Sequence, residues 1–321
     1  MKKIVLSLML VLLLAVGLVP GVLAQEGSLS EEEQALVERA QAAITEYLAA
    51  ESYSAFGYEI LTQDLTLNLG PTVSNRVSSS EVLRDGYIIF GEAGSAQYSG
   101  QVIYSEEVDG TVEASYTMDY ELRYVNGTLY VNASYAASEG NALPLSDGWV
   151  QVDDPEAFPE FQELDLDDLL DNFDGEARAE EFARIQEAIS IGTLGATTYE
   201  DSLEDGSPVV VIRLVLDAAV LAEVTGSEEE EIPAEFVQAM VDAMATEEEP
   251  IVYEFALTPD GVLAGVALGL TLDLADADLR LLVAEVPEGS LFSLMQEAEE
   301  LTLYSNYGGT FDPVMVPEGM E

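Results

Sequence analysis

Cysteine and histidine are absent from all 321 residues, and the two lysines stand at positions 2 and 3. Each absence closes a chemistry. Without cysteine there is no disulfide framework, no thiolate nucleophile, no sulfur-ligated metal and no acceptor for bacterial lipidation. Without histidine, Ser-His-Asp triads, Cys-His pairs and imidazole metal sites cannot be assembled. Without lysine past Lys3 there is no Schiff base and no phosphate-binding loop; a G-x-S-x-G turn and a Gly-rich phosphate loop are missing as well. Paired-carboxylate catalysis survives this pruning, yet 62 Asp and Glu residues nominate no particular pair. The expectation is a protein that is not an enzyme and has no cofactor.

Positive charge is scarce too. Against the 62 acidic residues stand 10 basic ones, for a net charge of −52. Nucleic-acid binding needs cations against phosphate and is excluded; docking on anionic membranes is disfavoured. Such a charge keeps a protein soluble but strains the compact state by self-repulsion. Salt or divalent cations relieve that strain, so salt adaptation, cation binding and a plain solvated acidic surface all fit.

What is present begins with "MKKIVLSLMLVLLLAVGLVPGVLAQ". Lys2 and Lys3, the apolar run Ile4 to Leu18 and the Val22-Leu23-Ala24 site have the three parts of a secretory signal, with cleavage after Ala24. Segment 1–24 is therefore expected to be removed, leaving 25–321 as a secreted or otherwise extracytoplasmic chain without a stable membrane anchor. "VLAGVALGLTLDLA", the most apolar later stretch, is interrupted by Gly265 and Gly269 and stopped by Asp273. The mature length suffices for a sizeable core without covalent staples.

"SEEEQALVERAQAAITEYLAA" predicts an amphipathic helix. Ser30 and Glu33 make a capping-box pair, and Leu36, Val37, Ala40, Ala43, Ile44, Tyr47 and Leu48 share a face. "TVEASYTMDYELRYV" alternates: Val112, Ala114, Tyr116, Met118, Tyr120, Leu122 and Tyr124 point one way, as in a half-buried antiparallel strand. Asn126-Gly127 supplies a type I′ turn into "TLYVNASY". "DLTLNL", "GYIIF", "QYSGQVIY" and "GWVQVDD" read as further strands. Two acidic helices broken at Asp174-Gly175 are expected across the middle, the second striped by Phe182, Ile185 and Ile189. Strands resume at "SPVVVIRLVLD", followed by short helices at "AAVLAEV" and "PAEFVQAMVDAMA". A hairpin turning at Pro259-Asp260-Gly261, then "ADLRLLVAEVP" and "LTLYSNYG", complete the set.

Two features invite a ligand. "DLDDLLDNFDGE" gathers Asp167, Asp171 and Asp174 with other carboxylates, as hard cations require; the EF-hand register fails, since Gly175 at loop position 6 puts Leu170 at position 1, and an acidic solvated helix face fits the same spacing. Several strands, Val209 to Leu216, Val262 to Leu272 and Leu279 to Val286, are apolar on both faces. The second face needs a cover, either another layer of protein or a bound apolar ligand. Gly265 and Gly269 suggest curvature or close backbone approach there.

The order of pieces, with "TLYV…GWVQVDD" in the first half and the closing "LYSNYGGTFDPVMVPEG", resembles the LolA-like and LppX/LprG-like exported lipoprotein superfamily over roughly Ser30 to Pro317. The resemblance implies an α+β fold: a strongly curved antiparallel β-sheet, or half-barrel, with helices covering the concave side. It implies a single domain over 25–321 with an acidic helical insertion around 155–192, and an apolar cavity that carries a lipid or other apolar small molecule. No catalytic residue is implied. The missing cysteine departs from membrane-anchored relatives and favours a soluble shuttle, or a domain with no lipid role, over an anchored carrier. On this reading the lining falls to Tyr116, Met118, Tyr120, Leu214, Phe236, Met240, Met244 and Val266, methionines adapting well to irregular apolar shapes. The alternative is an acidic structural or interaction protein of the cell exterior that binds divalent cations. The tail is expected to continue the last strand through Leu301, Leu303 and Tyr304, turn at Gly308-Gly309 and run extended along a sheet edge from Pro313 to Pro317.

Overall fold

Ser30 opens the first helix as its sequence predicts. The computed structural model describes residues 29–50, 52–68, 72–89, 94–140, 148–152, 175–203, 205–217, 251–278, 289–305, 307 and 309–320. In helix α1 (Glu31–Leu48), the Glu33 amide donates to Ser30 Oγ at 3.2 Å and the Ser30 amide donates to Glu33 Oε2 at 2.8 Å, while Glu31 to Glu33 sit against the positive end of the helix dipole. Val37, Ala40, Ala43, Ile44 and Tyr47 of the expected face are buried.

Among the described residues eleven strands follow: β1 (Ser52–Asn68), β2 (Thr72–Ile89), β3 (Ser95–Val108), β4 (Thr111–Val125), β5 (Thr128–Gly140), β6 (Trp149–Val152), β7 (Thr193–Ser202), β8 (Pro208–Leu216), β9 (Ile251–Leu257), β10 (Leu263–Asp278) and β11 (Leu291–Ser305). Helix α2 (Gly175–Gly192) runs directly into β7. All eleven strands form one antiparallel sheet in the order β6-β5-β4-β3-β2-β1-β11-β10-β9-β8-β7. The chain thus starts near the middle of the sheet, meanders to one edge, reappears at the other edge and meanders back. The two runs join where β1 pairs with β11, from Ser54 opposite Ser305 to Asn68 opposite Leu291. The sheet is large and curved. Register shifts between Ala55 and Gly57, Leu83 and Asp85, and Leu263 and Gly265 bend the strands locally.

Local turn signals are obeyed. Asn126 and Gly127 have φ of 54° and 76°, as a type I′ turn requires, and Asp109-Gly110, with φ of 50° and 78°, builds the same turn between β3 and β4. At the β9–β10 turn the Thr258 amide donates to the Val262 carbonyl at 2.9 Å and the Gly261 amide to the Thr258 carbonyl at 2.8 Å.

The inward side of the sheet and the inward stripes of α1 and α2 form one apolar core whose bulkiest sealed members include Phe255, Phe292, Ile44, Leu129 and Ile189. Each contributes about 1.5–3 kcal/mol by leaving water. The two described helices sit over the second half of the sheet: α1 packs on β7, β8 and β10, and α2 on α1, β7 and β8. Gln41 and Gln186 tie the helices reciprocally, each side-chain amide donating to the other's carbonyl, at 3.0 and 3.2 Å.

Three expectations need correction. Val112 does not share the inward face of β4: the ladder skips Glu113, which turns Val112 outward to 47% exposure. Gly269 is not a point of close approach, because a Cβ there would meet nothing nearer than Val252 at 4.0 Å; Gly265 is one, with Leu303 Cδ2 at 2.7 Å. The tail does not follow an edge. It crosses the outer face of the first half of the sheet, where Val314 packs with Val125 and Tyr130, flanked by Trp149 and Val316. The segments 155–174, 218–250 and 279–288, with their expected helices and strand, lie outside the described residues.

Candidate functional site

Alternation along β4 brings three of the expected lining residues together. Tyr116, Met118 and Tyr120 are successive inward residues at 8%, 4% and 5% exposure. Tyr104 of β3 stacks on Tyr116 with ring centroids 5.0 Å apart, and Tyr135 of β5 closes from the other side at 5.3 Å. The Tyr120 ring lies over Gly100, its partner on β3, and the Tyr98 ring over Gly86 on β2; a Cβ on either glycine would enter the ring. The glycines are what let these tyrosines lie flat along the sheet. The result is an aromatic and methionine-bearing inner surface on β3–β5.

Leu214 and Val266 lie in the other half of the sheet. Leu214, on β8, is fully buried beneath the helices; Val266, on β10, is half-buried against the same core. Phe236, Met240 and Met244 lie outside the described residues, as do Asp167, Asp171 and Asp174. Among the described residues no group of three or more carboxylates is placed to hold a metal ion, and no helix is long and apolar enough to cross a membrane.

Three groupings escape the sequence reading. The first is a knot of four tyrosines at the seam. Tyr47 from α1, Tyr53 from β1, Tyr304 from β11 and Tyr307 beyond it keep ring centroids 4.7 to 6.4 Å apart across their recorded pairs. The Tyr47 hydroxyl donates to that of Tyr53 at 2.6 Å, and the Tyr307 hydroxyl donates to the Leu263 carbonyl at 2.6 Å. Burial, aided by the neighbouring Tyr53, pushes the Tyr304 hydroxyl well above the usual tyrosine range. Two of the four come from the closing "LYSNYGG", so that motif anchors the fold.

The second is the strapped tail. Phe311 stacks on Tyr87 at 5.0 Å and 5°, and the Tyr87 hydroxyl donates to the Asp312 carbonyl at 3.1 Å. Arg123 is held by Glu121 at 2.6 Å, lies 4.7 Å over the Trp149 ring and donates to the Met315 carbonyl at 3.4 Å. An open groove of about 560 Å³ separates the tail from the sheet here. The third is a set of inward polar residues: Gln63 and Gln296, joined at 3.4 Å, and Asn75, all less than 8% exposed. A polar residue at an inward position is the only signal that could have flagged them, and it is readable only once the register of β2 is known.

No family model and no curated protein matches this chain. Among solved structures it is similar to LprF from Mycobacterium bovis, an LppX/LprG-like lipoprotein, at 14% identity over 92% of this chain and 100% of that one, with a TM-score of 0.33. It is also similar to a DUF1329 family protein from Desulfovibrio piger (8% identity, 88% and 96% covered, TM-score 0.21). A β-barrel-like DUF1849 protein from Brucella abortus aligns at 12% identity, with 78% and 98% covered and a TM-score of 0.18. Likenesses at these scores transfer neither a ligand nor an activity.

Proposed function

We propose that this chain is an exported, non-catalytic binding protein that carries or senses a lipid or other apolar ligand on the inner face of a half-barrel, with helices toward its concave side. The observation that carries the reading is the inner surface of β3–β5. Tyr104, Tyr116, Met118 and Tyr135 form an adaptable apolar wall, while α1 and α2 pack on β7, β8 and β10. The absence of cysteine, histidine and lysine from 25–321 supports a role without catalysis, and the single sheet supports a single domain following a signal cleaved after Ala24. Incubating the purified protein with vesicles of phosphatidylethanolamine and phosphatidylglycerol, re-isolating it and recording its native mass spectrum tests this. A bound-lipid mass increment is expected; a protein that neither retains nor takes up lipid under these conditions sinks the reading.

The charge of −52 favours a second role beside the first, relief of self-repulsion by divalent cations at the exterior of the cell. Titration with Ca²⁺ should release heat and raise Tm beyond the effect of NaCl at matched ionic strength; equal effects would remove the idea.

A further inference from the structure

Asn75 sits on the inward face of β2, in register with Leu65 of β1 and Val108 of β3. It is 7% exposed. Its side-chain amide donates to Glu106 Oε1 at 3.4 Å, which fixes the orientation of the amide: turned over, it would aim its own oxygen at the carboxylate. So oriented, its Oδ1 is buried with no hydrogen-bond partner, the one such side-chain atom among the described residues. An unmet buried acceptor is costly, and native structures seldom retain one without a use. Its position is pinned from outside, where the Ser74 amide donates to Asp109 Oδ1 at 2.9 Å and the Asp109 amide donates to the Ser74 carbonyl at 3.0 Å. Leu65 lies opposite Asn75 on β1, and the same inward row continues across the sheet through Leu294 of β11 to Leu274 of β10, while buried Val77 is the next inward residue along β2. This corner of the inner face therefore offers two adjacent acceptors, Asn75 Oδ1 and the Glu106 carboxylate, beside an aliphatic wall.

We propose that Asn75 and Glu106 form the polar end of the inner-face binding region and accept hydrogen bonds from the head of an amphiphile that carries a donor next to its acyl chain. This inference rests on the lipid reading above. An acceptor-only corner selects against heads that can only accept, such as a methyl ester, and for hydroxyl or ammonium heads. Which of those two donors it meets is decided by the arms of the test.

The test compares monoolein, oleylamine and methyl oleate, which share one chain and differ in head, by native mass spectrometry and fluorescence displacement. Wild type should bind one or both donor heads about tenfold more tightly than methyl oleate, the size expected for a buried acceptor met or left unmet. Asn75→Leu should bring the three within about twofold, keep the methyl oleate affinity and leave Tm unchanged or raised, since it removes an unmet acceptor. Glu106→Gln, whose amide can donate to Asn75 Oδ1, should also erase the preference and guards against misfolding of the leucine variant. Equal binding of all three by wild type overturns the donor site and leaves the lipid reading standing. So does a wild-type preference that survives in both variants, or a Tm drop in Asn75→Leu of several degrees, which would mark Asn75 as structural. If none of the three binds wild type, the lipid reading falls and this inference with it.

Discussion

Among the described residues, the two halves of the sheet are covered from opposite sides. In the half made of β7–β11, α1 and α2 press Ile44, Ala188 and Ile189 onto the inner face, and the outer face carries only a small cluster around Val209, Val211 and Ala264 among the described residues. In the half made of β1–β6, the tail straps the outer face through Val314 and Phe311, and the inner face presents tyrosines and a methionine. One half is built as a closed two-layer core. The other is braced from behind and turns an adaptable wall inward.

The comparison depends on the seam between the halves, so the largest test cuts it. Tyr47→Ala removes a ring that packs on Tyr53, Tyr304 and Tyr307 and should cost about 3–5 kcal/mol in denaturant unfolding. Tyr47→Phe keeps the ring, loses the 2.6 Å hydroxyl bond and should cost about 1 kcal/mol. Equal costs for the two would mean the rings do not hold the halves together.

A smaller effect is expected on the braced half. Val314→Asp puts a charge against Val125 and Tyr130, which should detach the strap at a cost of about 1–3 kcal/mol. Hydrogen exchange should then rise across 309–320 while α1 stays protected. If α1 loosens equally, the two covers are not independent and the contrast fails.

The smallest effect sharpens the contrast on the second half. Gly265→Ala drives a Cβ to 2.7 Å from Leu303 Cδ2 and 3.1 Å from the Thr302 carbonyl and should cost about 1–2 kcal/mol. Gly269→Ala, four residues along, points to the open outer face and should stay within about 0.5 kcal/mol, most simply as a slight gain from a stiffer unfolded chain. A large loss at Gly269 would reveal a cover on that face.

What the sequence made legible was local. The capping box at Ser30, the alternation of β4 from Ala114 onward, the Asn126-Gly127 turn and the Pro259-Asp260-Gly261 turn each carry their signal within a few residues, and each is where it was expected. β7, "TLGATTYEDS", passed unnoticed because its last six residues are exposed on both sides and show no period. The first half of β2, rich in serine, hid for a similar reason: its partners on β1 and β3 define it, and its own composition does not. The β1–β11 pairing has no local signature at all. Of the candidate lining, strand alternation alone was enough to place Tyr116, Met118 and Tyr120 on one wall. Asn75 was invisible because inward and outward positions on β2 cannot be told apart without the register.

The strand order has a consequence for how the protein comes into being. β1 leaves any N-to-C synthesis or translocation machinery long before its second neighbour, β11. Ser54 must wait for Ser305. Until then β1 offers a bare hydrogen-bonding edge 17 residues long, the sort of template on which chains pair wrongly with one another. Closing so distant a contact is slow. Mutual repulsion between chains of charge −52 works throughout that interval, which gives the acidity a use during assembly: it keeps unfinished molecules apart until each can complete its own sheet.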